Sequence, residues 1–366
     1  MTSSRRRLLL VSQPVEAGVP VHVAGLVDAL DPARWDITVA CPPSSSLWAS
    51  VAAGHPSVPL VPIGRHAGPR PGDLADVLRL LPHARRADVV HAHSSKAGLV
   101  ARVAALATGR RGHTLHTPHG WSFWAFDGAR SSGFALVERA LATMSRYTIC
   151  VSDYERDEAV RRGVLRRERA RVVPNGVDEA AWGAEPQPVA GRIVMVARLA
   201  PPKRHVLALE ALALLAHDHP EAELWFVGDG PLRAEVTAAA ADLGVCAHVR
   251  FLGRRDDVPE ILASASVSLL ATGYEGCPLS VLEAMMAGVP VVVTRVGGID
   301  ELVDDDCGAV VEPTPEALRD ALAELFDDPA LAARRGKAAR ERARAEFSRE
   351  RWIARTEAIY DEVSTS

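Results

Sequence analysis

The sequence predicts an α/β protein of two domains, each a doubly wound parallel sheet covered by helices on both faces. Short runs of apolar and β-branched residues alternate with amphipathic helical stretches. This alternation restarts after EPQPVAG, whose two prolines and final glycine indicate a linker. A chain of 366 residues is also too long for one ordinary hydrophobic core.

Ten segments have the composition of buried strands, five in each half. They are RLLLVSQ, WDITVAC, ADVVHAH, HTLHTPH and YTICVSD, then GRIVMVAR, AELWFVGDG, HVRFLGR, SVSLLAT and PVVVTRV. Helical periodicity marks the stretches between them, as in VHVAGLVDALD, DLADVLRLLPHARR and AGLVARVAALATG. We predict one domain over residues 1–185, a second over 186–347, and a terminal helix over 348–366 whose apolar face needs a surface.

Composition narrows the protein class. No apolar run approaches the roughly 20 residues of a membrane span, and the opening RRRLLLVSQ indicates a first strand rather than a signal peptide. The five cysteines are dispersed without zinc-like spacing, which favours a reducing cytoplasm and no metal site. Residues 1–185 carry 23 Lys and Arg against 17 Asp and Glu, and the remainder 19 against 29. The basic first half could favour an anionic membrane surface or acceptor, unless the difference is ordinary variation.

Two strand-end loops of the first half carry candidate residues, because doubly wound sheets bind ligands at the carboxyl ends of their strands. Gly18 could bring a backbone N–H to a phosphate, or be a simple turn glycine. The G-x-G-x-x-G fingerprint is absent here, which argues against NAD. His119 ends a strand where its imidazole could reach a ligand, whereas His91, His93 and His116 favour structural roles. The aromatic residues that follow His119 could stack on a sugar or lipid, or pack in the interior. They are Trp121, Phe123, Trp124 and Phe126.

Cations follow two strands of the second half. Arg198 and Lys203 lie in ARLAPPKRH. The planar guanidinium group of Arg198 and the ammonium charge of Lys203 suit a diphosphate, although a solvated basic loop explains them too. Arg254 follows another strand and could flank a base. Gly230 is explained by Pro231 at a helix start.

The stretch ATGYEGCPLSVLEAMMAGVPVVVTRVGG places Glu275 in a strand-end loop and Glu283 in the helix that follows, with Pro278 at the first helical position. Backbone amides near Cys277 and Leu279 form a helix N-terminus that favours an anion. Carboxylates repel an anion, so we expect them to accept hydrogen bonds from hydroxyls on either side of it. That arrangement describes a nucleotide-sugar.

These residues resemble family-4 glycosyltransferases, which are retaining enzymes of the GT-B fold with an E-x7-E motif. EGCPLSVLEAMMAGVPVV matches that motif, and other similar segments occur in the family's order over nearly the whole chain. They are EAGVPVHV, DVVHAH, HTPHG, VVPNGVD, ARLAPPKRH, FVGDGPL, RFLGRRDDVPEIL and GAVVEP. The resemblance implies two facing Rossmann-like domains around a cleft, and a final helix that crosses back onto the first domain.

The resemblance also implies a role for each candidate residue. Arg198 and Lys203 would bind the donor diphosphate, Glu283 the ribose hydroxyls and Glu275 the hydroxyls of the transferred sugar. His119 would lie near the reaction centre, Gly18 would present a backbone amide to phosphate, and Arg254 would contact the base. Relatives often have two glycines in the first loop, whereas here Ala17 precedes Gly18.

The resulting prediction is a metal-independent, retaining transferase of a hexosyl or N-acetylhexosaminyl group. Its donor would be a nucleotide-sugar, UDP-linked, and its acceptor a glycan, a lipid-linked molecule or a small molecule. The predicted location is cytoplasmic, with peripheral contact at the inner membrane face as an option. No cofactor and no nucleic acid are implied. Two alternatives stay open: a nucleotide-sugar epimerase on a similar double fold, and a non-catalytic nucleotide-sugar-binding subunit.

Overall fold

The computed structural model describes residues 5–65, 70–182 and 185–365. Unit 1 consists of the chain up to Asn175 together with the residues from Trp352 onward, and unit 2 is Gly176–Arg351. The divisions predicted from the sequence, after residues 185 and 347, both fall inside unit 2. The backbone of Val177 bonds to Phe347 and to Arg349, which ties these two connecting segments together within unit 2.

Thirteen strands lie in the described ranges, seven in unit 1 and six in unit 2. Those of unit 1 are β1 (Arg6–Ser12), β2 (Trp35–Cys41), β3 (Leu60–Pro62), β4 (Val89–His93), β5 (Thr114–Thr117), β6 (Tyr147–Cys150) and β7 (Ala170–Val172). Those of unit 2 are β8 (Arg192–Val196), β9 (Glu223–Val227), β10 (Val249–Gly253), β11 (Val267–Leu270), β12 (Val291–Thr294) and β13 (Gly308–Val311).

Helices connect these strands. Unit 1 contains α1 (Gly18–Ala29), α2 (Ser46–Gly54), α3 (Gly72–Arg86), α4 (Ser95–Ala107), α5 (Gly128–Ala142) and α6 (Asp153–Arg161). Unit 2 contains α7 (Glu179–Trp182), α8 (His205–Asp218), α9 (Arg233–Asp242), α10 (Val258–Ala263), α11 (Leu279–Met286), α12 (Ile299–Leu302), α13 (Pro315–Asp327) and α14 (Pro329–Glu346). The last helix is α15 (Arg349–Ser364).

Both sheets are parallel and doubly wound, which confirms the predicted fold class. The first has the order β3-β2-β1-β4-β5-β6-β7 and the second β10-β9-β8-β11-β12-β13. In each sheet the chain first builds outward on one side and then returns to build on the other. The points of reversal lie between β1 and β4 and between β8 and β11, and ligands of such sheets bind at these points.

All ten predicted strands are present, and three short ones were not predicted. These are β3, β7 and β13, each an edge strand of three or four residues. Position at the edge does not by itself explain this, because β10 is also an edge strand and was predicted. The segments of β3, β7 and β13 contain only short apolar runs interrupted or bounded by polar residues, proline or glycine.

The terminal helix α15 packs on the sheet of unit 1. Its apolar residues, among them Trp352 and Tyr360, belong to the same core cluster as Leu8 and Val39. Trp35 Nε1 also donates a hydrogen bond to the carboxylate of Glu357 at 2.7 Å. The apolar face of RWIARTEAIYDEV is thereby covered. Among the described residues, no helix has both the length and the apolar character needed to cross a bilayer.

Candidate functional site

In unit 2, the loop after β8 is bonded to the loop after β11. Arg204 N–H donates to the Ala271 carbonyl at 2.9 Å, and Gly273 N–H donates to the Pro202 carbonyl at 3.0 Å. Lys203 and Thr272 form an isolated bridge between the same loops. Because β8 and β11 flank the point of reversal, ARLAPPKRH and ATGYEG meet where this sheet is expected to bind a ligand.

Lys203 and Glu275 are direct partners within this loop pair. Lys203 Nζ donates to Glu275 Oε1, and Thr272 Oγ1 donates to the same oxygen at 2.9 Å. The side chains of Lys203 and Glu275 are 18% and 13% exposed, so the ion pair is largely desolvated. The sequence predicted separate roles for the two charges and did not predict Thr272.

Two glycines that the sequence reasoning left unexplained shape the backbone at Glu275. Gly298 N–H donates to the Glu275 carbonyl at 3.1 Å. Gly297 has a φ of 60°, and a Cβ at this position would lie 1.9 Å from the same carbonyl oxygen. Only glycine fits there. The paired glycines of TRVGG were therefore the sequence feature that could have indicated this close backbone contact.

Glu283 lies one turn inside α11. Burial raises the pKa of its carboxyl group from 4.5 to about 7, although part of the side chain remains accessible. Within the described part of the chain, no donor is hydrogen-bonded to this carboxylate. Glu283 is therefore a buried carboxyl group without a hydrogen-bond donor among the described residues.

The start of α11 differs by one position from the prediction. Pro278 has an extended ψ of 124° and precedes the helix, which begins at Leu279. Pro278 is therefore the N-cap residue and not the first helical residue. Cys277 is buried, Leu279 is partly buried, and the helix ends before Gly288, which has a φ of 74°.

Arg198 is exposed directly beyond β8. Its loop packs on the GDG segment, since Leu199 N–H donates to the Asp229 carbonyl at 3.1 Å. A Cβ on Gly230 would lie 2.3 Å from the Leu199 carbonyl oxygen. The prediction that Pro231 explains Gly230 is therefore wrong, because α9 begins two residues after this proline and the close backbone approach requires the glycine.

Arg254 is exposed and follows β10, one of the two edge strands of the sheet. One strand, β9, lies between β10 and β8. The structure thus brings Lys203 and Glu275 together at the point of reversal and leaves Arg254 toward one side of it.

In unit 1, backbone strain is concentrated at the ends of three adjacent strands. Three described residues other than glycine have positive φ: Ala17 at 75°, Ser94 at 77° and His119 at 55°. They follow β1, β4 and β5, which are neighbours in the sheet. Such strain typically accumulates at functional sites. Gly18 is exposed and is the first residue of α1.

A buried carboxylate holds the turn that carries His119. Gly120 N–H donates to Glu155 Oε1 at 2.6 Å, and Val151 N–H donates to Glu155 Oε2 at 2.7 Å. Trp121 Nε1 donates to the backbone carbonyl of Glu155 at 2.9 Å. Sequence reasoning missed Glu155, which lies in an unremarkable helical stretch and offers no signal of its own.

The His119 imidazole is neutral at physiological pH. Burial lowers its pKa well below the ordinary value, and the neighbouring His22 lowers it further. His119 Nε2 lies 3.1 Å from His93 Nδ1. His91 instead bonds to Tyr360 and Thr117, as expected of a structural residue.

The aromatic residues after His119 divide into two groups. Trp121 and Phe123 are buried in a small core cluster with stacked rings, so the packing interpretation is correct for them. Trp124 and Phe126 remain partly exposed.

Two family models match adjoining parts of the chain. Glycosyltransferase Family 4 matches residues 17–181, and Glycosyl transferases group 1 matches residues 187–342. Glycogen synthase from Mycobacterium tuberculosis is 31% identical over 288 residues, which is 75% of this chain and 69% of the relative. UDP-Gal:alpha-D-GlcNAc-diphosphoundecaprenol alpha-1,3-galactosyltransferase from Escherichia coli is 29% identical over 265 residues, which is 67% of each chain.

Solved structures show the same fold. Anabaena HepE in complex with UDP and glucose has a TM-score of 0.85 at 20% identity, covering 98% of this chain and 100% of that one. Sucrose-phosphate synthase from Thermosynechococcus elongatus has a TM-score of 0.84 at 22% identity, covering 98% and 99%. The family models, the relatives and the two parallel-sheet domains together show that the chain belongs to glycosyltransferase family 4 and is a glycosyltransferase of the GT-B fold.

Proposed function

We propose that this glycosyltransferase moves a hexosyl or N-acetylhexosaminyl group from a UDP-sugar to a glycan, a lipid-linked acceptor or a small molecule. Transfer retains the anomeric configuration and needs no metal ion. One observation carries the proposal: the Lys203–Glu275 ion pair lies at the point of reversal of the sheet, followed in sequence by the helix that bears Glu283. A cation and two carboxylates match a ligand in which a diphosphate separates two hydroxylated rings.

Lys203 would exchange partners when the donor binds. Its ammonium group donates to Glu275 in the structure, and a diphosphate oxygen offers it a second anionic acceptor. Glu275 would then accept hydrogen bonds from hydroxyls of the transferred sugar. After the exchange the phosphate balances the charge of Lys203 and the hydroxyls give hydrogen bonds to Glu275, so donor binding leaves neither buried charge without a partner.

Glu283 would bind the ribose. Its carboxylate has no hydrogen-bond donor among the described residues, and hydroxyl donors stabilise the charged form of a carboxylate. Arg254 would contact the base from its position beyond β10. In unit 1, Gly18 would offer its backbone amide to phosphate, and the neutral His119 would lie close to the anomeric carbon.

Fixed protein charges would replace a metal in the bond-breaking step. The leaving diphosphate gains negative charge as the sugar becomes cation-like. Arg198, Lys203 and the backbone amides near Cys277 and Leu279 would therefore bind it more strongly in the transition state. No protein nucleophile is assigned. The acceptor hydroxyl would attack the anomeric carbon on the face from which the diphosphate departs, which preserves the configuration, and its proton would pass to the departing phosphate oxygen.

The names of similar proteins support a UDP-linked donor. The Escherichia coli relative is named for transfer from UDP-Gal, and the Anabaena structure contains UDP and glucose. The basic first half of the chain supports an anionic acceptor, such as a lipid-linked diphosphate. All five cysteines are free, which supports a cytoplasmic location.

A panel of UDP-sugars incubated with the protein tests the proposal. We expect slow hydrolysis of one or a few donors, detected by mass spectrometry as UDP and free sugar. Nuclear magnetic resonance at early times should show that the released sugar keeps the configuration of the donor. A new UDP-sugar epimer formed without UDP release would instead identify an epimerase, and UDP-sugar binding without turnover, even with acceptors supplied, would identify a binding subunit.

A further inference from the structure

Three histidines converge at the carboxyl edge of the sheet in unit 1. His22 lies in α1, His93 ends β4, and His119 follows β5. One ring nitrogen from each lies within 4.8 Å of the other two. Because β1 and β4 flank the point of reversal, the cluster occupies the position at which this sheet is expected to bind a ligand.

The separations are close to those of a metal site. Two nitrogen ligands of a tetrahedral zinc ion, each bonded at its usual length, lie about 3.4 Å apart. His93 Nδ1 and His119 Nε2 are 3.1 Å apart, and a ring nitrogen of His22 lies within 4.8 Å of a ring nitrogen of each of the other two.

Neighbouring residues orient the His22 ring. His22 Nδ1 donates to Asn175 Oδ1 at 2.9 Å, which leaves Nε2 as the nitrogen with a free lone pair. The Trp352 ring packs against His22 with centroids 4.6 Å apart. In metalloproteins, a histidine ligand is typically oriented by a hydrogen bond from the ring nitrogen that does not bind the metal, as His22 Nδ1 makes here.

His93 has a polar atom that the protein does not satisfy. The residue is fully buried, and its Nε2 has no hydrogen-bond partner among the described residues. A neutral imidazole carries one N–H and one lone pair, so the His93–His119 contact uses only half of that capacity.

We propose that His22, His93 and His119 bind one Zn²⁺ ion or a similar transition-metal cation, and that the bound ion inhibits sugar transfer. Three imidazoles suit Zn²⁺, whereas Mg²⁺ prefers oxygen ligands. Inhibition rests on the proposed function, because the ion would occupy the imidazole of His119, which that function places close to the anomeric carbon. The site is consistent with metal-independent transfer, since the metal is an inhibitor and not a participant.

Calorimetry on the full chain, freed of metal by chelation, tests the binding. We expect one Zn²⁺ per chain and no measurable Mg²⁺ binding. His22→Asn and His119→Asn should each weaken Zn²⁺ binding at least tenfold. His217→Asn is the control, because that side chain is 87% exposed on unit 2, and it should bind Zn²⁺ like the wild type. Equal affinity in all four proteins would overturn the site.

Cobalt spectroscopy on the wild type covers the case in which a variant does not fold. Co²⁺ bound by imidazoles in a tetrahedral site should give strong visible absorption that one equivalent of Zn²⁺ abolishes, and the absence of that absorption would refute the site. In the activity assay, Zn²⁺ should slow UDP release and chelation should restore it. Unchanged turnover with Zn²⁺ bound would refute inhibition alone. Metal-free protein that never turns over a donor would count against the proposed function and not against the metal site.

Discussion

Lys203 Nζ donates a hydrogen bond to Glu275 Oε1, and Thr272 Oγ1 donates to the same oxygen. The two charged side chains are largely withdrawn from water, so each needs a partner of opposite charge or a set of hydrogen bonds. A UDP-sugar supplies both kinds of partner, a diphosphate for the lysine and hydroxyls for the carboxylate. The ion pair therefore keeps the proposed donor site charge-compensated until the donor binds.

Glu275→Gln should separate UDP binding from sugar transfer. The amide loses the charge-assisted hydrogen bonds to the sugar, while Lys203 is left free to bind the diphosphate. We expect UDP affinity equal to or higher than that of the wild type, and turnover lower by about 10- to 100-fold. Glu341→Gln, on a side chain 65% exposed, is the control. Wild-type turnover by Glu275→Gln would remove Glu275 from the sugar-binding role.

Glu283 should make stability depend on pH. Its pKa is raised from 4.5 to about 7 in the folded protein, so between these values the folded chain holds a proton that the unfolded chain has released. The free energy of unfolding therefore falls as pH rises through this window, by on the order of 3 kcal/mol. All other titrating groups are the same in the wild type and in Glu283→Gln. The variant therefore lacks only the loss of stability that Glu283 causes.

Urea unfolding of both proteins at about pH 5 and about pH 8 measures the difference. The wild type should lose stability relative to Glu283→Gln on going to the higher pH. If the two proteins keep a constant difference in stability across that range, the Glu283 carboxyl group is not desolvated as the structure describes.

Gly297→Ala should disrupt the loop that carries Glu275. The added methyl group would lie 1.9 Å from the Glu275 carbonyl oxygen, and this backbone contact cannot relax cheaply. Gly244→Ala is a matched control, since Gly244 has a similar φ of 71° and open space around it, and should cost only about 1 kcal/mol. We expect Gly297→Ala to cost at least about 2 kcal/mol more and to weaken UDP binding. Equal costs for the two variants would contradict the close approach.

Ala17→Gly should stabilise the protein. Ala17 has a φ of 75° and a ψ of −159°, a backbone conformation that residues other than glycine rarely adopt. Relief of this strain exceeds the entropy that glycine adds to the unfolded chain, so we expect a gain of about 1 kcal/mol in urea unfolding. A loss of stability would show that the loop before Gly18 is not strained. The departure of this loop from the usual two glycines would then have no energetic cost.

The sequence allowed the architecture to be predicted because each central strand is an apolar run bounded by turn residues. It also allowed α11 to be placed within one residue, since Pro278 and Gly288 mark its ends. The edge strands β3, β7 and β13 have no comparable pattern, unlike the fourth edge strand, β10, which was predicted. Their positions depend on pairing with a neighbouring strand, which local sequence does not reveal.

The sequence singled out the candidate site residues individually, but it did not reveal their contacts. Lys203 and Glu275 are 72 positions apart, and their ion pair exists because β8 and β11 are neighbours in the sheet. Glu155 is a further example, because it lies in α6 and supports the turn after β5 that carries His119. His22 is another, because no motif marks it as a neighbour of His93. Tertiary contacts of this kind leave no periodic signal in the chain.

The affinity for UDP of Lys203→Met tests the central claim most directly. We expect calorimetry to show binding at least tenfold weaker than in the wild type, since a charge-assisted contact to phosphate contributes about 1.5–3 kcal/mol. The double variant Lys203→Met/Glu275→Gln leaves no unpaired carboxylate and should show the same loss. Lys337→Met, on a side chain 79% exposed, should bind UDP like the wild type. Wild-type UDP affinity in both Lys203 variants would contradict the donor site described for unit 2.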